Sequence, residues 1–242
     1  MLSAADARVL WALVRGRSRT GTHAQRLQDF YADQASGYDA FRERLLQGRQ
    51  ELIERLPVGA GARVTELGAG TGRNVEFFDA RLARLRSIEL VDLCPALIDQ
   101  ALHRSRRLAA SGVANISVLH ANATTYRPSE PRDCVYFCYA LTMIPDWAAA
   151  IDNAIAMLRP GGVLGVVDFH LPGRAPARHA FWRRWFAHDG VWLSDRHLPY
   201  LCQRLRPLLV REARVRLPFL PWLRAPYYLY IGQKPGAGEA GG

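Results

Sequence analysis

Residues 63–74 read Arg63-Val-Thr-Glu-Leu-Gly-Ala-Gly-Thr-Gly-Arg-Asn74, and this stretch decides the fold. Val64, Thr65 and Leu67 are β-branched or apolar and read as a buried strand. The strand breaks into glycines on alternate positions, Gly68, Gly70 and Gly72, and then into helical sequence. Glycine at this spacing allows a tight turn and lets a ligand approach the backbone without Cβ clashes. The helix that follows offers its unpaired N–H groups to whatever sits there. The stretch reads as a nucleotide-cofactor loop.

Outward from the loop, strand and helix signals alternate. The pattern predicts strands at 63–68, 87–92, 116–120, 134–140 and 163–169. It predicts helices at 72–82, 95–110 and 146–158. Pro95 opens one helix and Gly112 stops it; Asp146 caps another, and Pro160-Gly161-Gly162 ends it. Such alternation means a parallel α/β sheet wrapped by helices. After residue 171 prolines multiply, and four of the six tryptophans lie there. Helices are expected at 177–187 and near 197–209, then an antiparallel edge pair at about 211–217 and 226–233, for seven strands in all. Upstream, helices are expected at 2–14, 23–35 and 39–56. The domain reading is a helical segment at 1–57, a core at 58–234 with an acceptor-side insertion at 171–210, and a disordered tail at 235–242.

Composition narrows the partners. The net charge of +10 is uneven: residues 171–234 hold 12 basic and 3 acidic side chains. An excess this local suggests an anionic surface, nucleic acid or lipid headgroups; a plain solvated basic face is the alternative. Residues 2–14 have helical apolar spacing with flanking arginines, which fits either a membrane-surface helix or one packed on the domain. No apolar run approaches the ~18 residues of a spanning helix. Cys94, Cys134, Cys138 and Cys202 have neither disulfide nor zinc spacing, so reduced thiols, no metal and a cytoplasmic, membrane-peripheral location are expected.

The cofactor follows from the loop's context. Asp92 ends the second strand, where an acid accepts hydrogen bonds from ribose hydroxyls, with Leu93 beside it. The dinucleotide fingerprint wants a third glycine where this chain has Arg73. The Glu66-Leu-Gly-Ala-Gly-Thr-Gly72 form resembles motif one of the class I S-adenosylmethionine-dependent methyltransferases. His120-Ala-Asn-Ala-Thr124 stands where that superfamily has an acid and an alanine at adenine; here Asn122 and Ala123 take those places. The resemblance implies S-adenosyl-L-methionine as cofactor and a Rossmann-like fold.

Further strings narrow the resemblance: Tyr38 to Arg49, Ala140-Leu-Thr-Met-Ile-Pro-Asp-Trp147, Gly165-Val-Val-Asp-Phe169, Phe181-Trp-x-x-Trp-Phe186, His197-Leu-Pro-Tyr200 and Ala225-Pro-Tyr-Tyr228. Over residues 29–234 the chain resembles the BtaB-type diacylglyceryl-homoserine N-methyltransferases of betaine-lipid synthesis. That likeness implies three methyl transfers onto the amine of a homoserine-headed glycerolipid, an anionic membrane surface as partner, no nucleic acid, and pairing with the enzyme that makes the homoserine lipid. It also implies a headgroup pocket formed by Trp182, Trp185, His197, Tyr200, Tyr227 and Tyr228. Phosphatidylethanolamine or another small amine is the alternative acceptor, and RNA a more distant one.

Methyl transfer from sulfonium to amine is an in-line displacement that needs alignment and a neutral lone pair. Tyr139 ends the fourth strand, where the reactive methyl emerges, and could orient the amine. Asp168 and His170 end the fifth strand; either could receive the amine proton, or stand as a satisfied buried acid and a solvated imidazole. Tyr38 reads equally as a lid over the cofactor and as an aromatic anchor. Arg49 could pair with the methionine carboxylate or join a surface ion pair.

Overall fold

The computed structural model describes Gln25, residues 45–113, 115–173, Ala180, Trp182, 191–217 and 220–236, with side chains at 217 and 220–223 left aside. Within them, seven strands form one sheet in the order β3-β2-β1-β4-β5-β7-β6. They are β1 (Arg63–Leu67), β2 (Ser87–Asp92), β3 (Ile116–His120), β4 (Arg132–Cys138), β5 (Leu158–Phe169), β6 (Arg206–Leu217) and β7 (Leu220–Gln233). The first five run parallel; β7 lies antiparallel to β5, and β6 antiparallel to β7. This is the class I methyltransferase, Rossmann-like architecture.

The central strands β4 and β5 are largely apolar on both faces because both faces are covered. On one side α1 (Arg49–Arg55) and the 3-10 segment Arg73–Arg84 bury Leu52, Ile53, Val75 and Phe78 against Val64, Ile88, Leu90 and Tyr136. On the other side α3 (Trp147–Met157) and α4 (His197–Arg204) bury Ile151, Ala154, Leu201 and Leu205 against Val135, Phe137, Leu164 and Val166. The helix α2 (Pro95–Ala110) crosses from β2 to β3. Burying each large apolar side chain contributes about 1.5–3 kcal/mol, so these two layers carry much of the stability.

Several elements depart from the pattern expected of them. Strand β5 begins at Leu158 rather than 163, so Pro160-Gly161-Gly162 lies inside it, and β7 begins at Leu220 rather than about 226. The segment after the glycine loop is 3-10 rather than regular helix, with Asp79 at φ 49° breaking it. The helix expected over 39–56 is interrupted at Gly48, whose φ of 85° starts α1 anew. Helix α4 stops at Arg204, and β6 begins at Arg206, five residues earlier than expected. Pro207 fits there because β6 is an edge strand, which tolerates a missing N–H. The helices expected at 2–14, 23–35 and 177–187 lie wholly or mostly outside the described residues, as do Tyr38, Trp185 and residues 237–242.

Candidate active site

The carboxyl ends of the parallel strands open into a cavity of about 320 Å³, lined by the glycine loop, Arg49, Asp92, Leu93, Asn122, Ala123 and the turn after β4. Gly68, Gly70 and Gly72 all hold positive φ. They serve different ends. A Cβ on Gly68 would lie 2.5 Å from that of Ala140, and one on Gly72 would lie 2.9 Å from Leu90, so both permit close packing. A Cβ on Gly70 would meet nothing within 4 Å. Gly70 lines the cavity, so its missing side chain is room for a ligand.

Asp92 braces this cradle. One carboxylate oxygen accepts the Gly70 N–H at 2.7 Å and the other accepts the Cys94 N–H at 2.8 Å. Burial raises its pKa above the usual aspartate range, against the pull of those donors. Asn122 behaves differently from expectation. Its side-chain oxygen accepts both the N–H and the hydroxyl of Thr124, each at 2.9 Å, forming an Asx turn. The carbonyl that was to receive an exocyclic amine therefore shapes the loop first. Ala123 is held from below, where Asn153 donates to its carbonyl at 2.8 Å.

Glu66 does not line the cavity. It is fully buried behind Asn74, which donates to it at 2.6 Å, while the Tyr136 hydroxyl donates at 2.9 Å. Burial lifts its pKa to about 7 despite these donors and nearby Arg49. Asn74 is the residue that reaches the ligand space, and its other amide atom accepts from Arg49 at 3.0 Å. Arg73 lies beside them, 4.8 Å over the Phe77 ring, with Arg49 5.6 Å over the same ring. Two guanidinium groups thus border one end of the cavity, where a carboxylate fits. Asn74 and Arg73 were missed in the sequence; their place just inside the post-glycine segment was the available signal.

Tyr139 lines the cavity in a left-handed conformation, φ 54°, rare for a bulky residue. Such strain costs about 1–3 kcal/mol and persists only when neighbours enforce it. Here the Tyr139 N–H donates to Val167 at 2.8 Å, its hydroxyl donates to the Gln47 carbonyl at 2.6 Å, and its ring packs on Phe169 at 4.6 Å. The hydroxyl thus ties the segment before α1 to the end of β4.

The other two proposed proton acceptors stand away from the cavity. Asp168 is fully buried and accepts the hydroxyl of Thr142 at 2.7 Å, its N–H at 3.1 Å and the Phe169 N–H at 2.8 Å. Burial raises its pKa to about 6. It anchors the turn whose next residues, Met143 to Asp146, wall the cavity. His170 is buried with its ring edge-on to Tyr228 at 5.4 Å, and its Nε2 lies 3.6 Å from Glu212.

The expected headgroup residues divide between the two faces of the sheet. Consecutive strand residues point to opposite sides. Tyr227 packs with Trp182 and Tyr139 on the α1 side, whereas Tyr228 lies on the α3–α4 side. His197 and Tyr200 join Tyr228 there, edge-on to Trp147 at 4.7 and 5.3 Å. The Tyr200 hydroxyl donates to Asp152 at 2.7 Å and accepts from Arg204 at 2.6 Å. The five described residues therefore do not form one pocket; Trp185 lies outside the described residues.

A Rossmann-like sheet with a glycine cradle, a strand-end acid and two bordering arginines defines a class: enzymes that hold a nucleoside joined to an amino acid. The chain is more closely placed by its relatives. Residues 38–205 match the family described as "Methyltransferase domain", and the chain belongs to it. That family is one of S-adenosyl-L-methionine-dependent methyltransferases. Trans-aconitate 2-methyltransferase of Methylobacterium radiotolerans is 30% identical over 173 residues, 71% of this chain and 62% of its own length. The chain thus spans less than two-thirds of that curated relative. Among solved structures, Haemonchus contortus phosphoethanolamine N-methyltransferase 2 superposes with a TM-score of 0.68 at 12% identity, covering 90% of this chain and 61% of its own. The N-methyltransferase NodS of Bradyrhizobium japonicum WM9, in complex with S-adenosyl-L-homocysteine, gives 0.58 at 19% identity over 82% and 98%.

The residues fit the cofactor. Gly70 leaves room for it, Asp92 would meet its ribose, Leu93, Leu97 and Ala123 would flank its base, and Arg49 and Arg73 would meet its carboxylate. When bound, the cofactor supplies an electrophilic methyl group. The chain's residues orient it, exclude water and present the acceptor along the line of displacement.

Proposed function

We propose that the enzyme methylates the amine of a membrane glycerolipid headgroup, with the homoserine-headed lipid as acceptor. Three successive transfers would give the trimethylated betaine. The observation that carries this reading is the position of Trp192. Its side chain is 63% exposed, yet its backbone N–H donates at 2.7 Å to the Thr142 carbonyl, one residue before the wall of the cavity. An exposed indole at the rim of an active site suits a membrane interface, where tryptophan is enriched. Along the outer strand β6, Arg206, Arg214 and Arg216 stand exposed beside the exposed side chains of Leu208 and Val210. Arginines interleaved with apolar groups suit anionic lipid.

Amine chemistry suits the cavity. Its carboxylates among the described lining residues are Asp92, engaged by backbone donors, and Asp146, which caps α3 through the Ala149 N–H. An amine that arrives as the free base needs no base within the displacement, and the ammonium left by each of the first two transfers releases its proton to solvent before the next; carbon and most oxygen acceptors need a base to react at all. Aromatic faces such as Tyr139 and Phe169 tolerate the growing ammonium, at about 0.5–2 kcal/mol each. The same fold carries N-methylation in the two solved relatives described above, which makes the reading compatible with the scaffold.

The deciding experiment offers labelled S-adenosyl-L-methionine with diacylglyceryl-homoserine, phosphatidylethanolamine, trans-aconitate and RNA side by side. Label is expected in the homoserine lipid, as mono-, di- and trimethyl products. Label confined to trans-aconitate or RNA would overturn the proposal.

A further inference from the structure

On the α3–α4 side of the sheet, two buried residues that both neighbour His170 keep polar atoms without partners. Among the described residues, both ring nitrogens of His197 and the hydroxyl of Tyr228 make no hydrogen bond, although the two residues are 1% and 0% exposed. His170 packs its ring on Tyr228 at 5.4 Å, and Trp147 packs on His197 at 4.7 Å. A buried polar group left unpaired costs about 1–3 kcal/mol, so two such residues beside His170 call for a ligand that pairs them. One turn touches both this pair and the cofactor cavity: its residues Met143 to Asp146 line the cavity, and Trp147, next in the chain, packs on His197.

We infer that His197 and Tyr228 form a second subsite for the methyl acceptor, which takes an uncharged oxygen of that molecule (ester, ether or hydroxyl) while the reacting atom lies in the cavity. This rests on the lipid reading, in which the oxygens are those of the glycerol unit. The two residues offer a ring N–H and a phenolic O–H as donors, and the second ring nitrogen accepts from a hydroxyl. A neutral group suits the pair best. Burial pushes the His197 pKa down to about 4, helped by His170 and opposed by Asp195. On the other side, the fully buried Asp168 adds to burial in raising the Tyr228 pKa, and would repel an anion.

The test compares two amines that differ only in the glycerol unit: dihexanoylglyceryl-homoserine and free homoserine. In the wild type the lipid is expected to have at least a tenfold higher kcat/KM. Tyr228→Phe and His197→Phe should each lower kcat/KM for the lipid about tenfold, through KM, and leave homoserine unchanged. Both variants remove orphaned atoms, so their melting temperatures should equal or exceed that of the wild type. An equal loss with both amines would overturn the subsite. A second measurement separates its failure from that of the lipid reading. In 15N-histidine spectra, dihexanoylglycerol, which has the oxygens but no amine, should shift the His197 ring signals. A shift with no turnover of either amine would sink the lipid reading and keep the subsite; unmoved signals at saturating dihexanoylglycerol would overturn the subsite.

Discussion

The cofactor cradle and the His197–Tyr228 cluster treat their buried polar groups in opposite ways. In the cradle, Asp92, Glu66 and Asn74 are matched within the chain. Asp92 meets Gly70 and Cys94, Glu66 meets Asn74 and Tyr136, and Asn74 meets Arg49. On the acceptor side, His197 and Tyr228 are buried unmatched among the described residues. A pocket for one constant cofactor is best finished in advance, because pre-formed hydrogen bonds cost nothing at the moment of binding. Unmatched groups on the other side cost stability, and binding an acceptor that pairs them recovers that cost.

If the cofactor side is a finished mould, the largest effect should come from filling it. Gly70→Val puts a branched side chain into the cavity at a backbone φ of 56°, where an L-residue is strained by about 1–2 kcal/mol. Binding of S-adenosyl-L-homocysteine, measured by calorimetry, should weaken about a thousandfold, or about 4 kcal/mol. Unchanged affinity would remove Gly70 from the cradle and break the comparison at its better-supported end.

A smaller effect tests whether the internal network is neutral, as its burial implies. Folded Glu66 holds its proton up to about pH 7, while the unfolded chain releases it near 4.5. A raised carboxyl pKa therefore stabilises the fold fully below pH 4.5, and this contribution is lost as pH rises towards 7. The swing is on the order of 3 kcal/mol. Asp168 adds a swing of the same sign, from 3.8 to about 6. Glu66→Gln keeps a neutral side chain at every pH. Its melting temperature should fall less than that of the wild type between pH 5 and 7.5, with the Asp168 share remaining. Parallel curves would show that Glu66 is already ionised at pH 5.

The same contrast governs what could be read from the chain. Strand β2, helix α2 and strand β3 fall on the residues expected, because Ile88, Leu90 and Val91 and then Ile116, Val118 and Leu119 mark short apolar strands and Pro95 and Gly112 mark the helix ends. The glycine loop and Asp92 were legible because a local motif contains the whole contact. Glu66 was legible as important but not as buried; its partner Tyr136 lies 70 residues away. Asp168 looked like a proton acceptor for the same reason, since nothing near it in sequence announces Thr142. The family resemblance puts Tyr227 and Tyr228 in one pocket, and strand geometry separates them.

The smallest effect on the fold bears on the surface that the cradle and the cluster do not share. Trp192 is held by its backbone, so removing its side chain should leave the turn at Thr142 in place. Trp192→Ala should change stability by no more than about 0.5 kcal/mol, as for other exposed positions. Yet the indole stands where the lipid reading needs an interfacial anchor. Sedimentation with vesicles containing phosphatidylglycerol should show binding reduced several-fold in the variant, and reduced further in Arg214→Ala and Arg216→Ala combined with it. Raising salt should weaken the contribution of the arginines and spare that of the tryptophan, because screening acts on charge and not on apolar burial. If wild type and variant sediment alike, the exposed indole does not contact the bilayer, and the lipid would have to reach the cavity by another face.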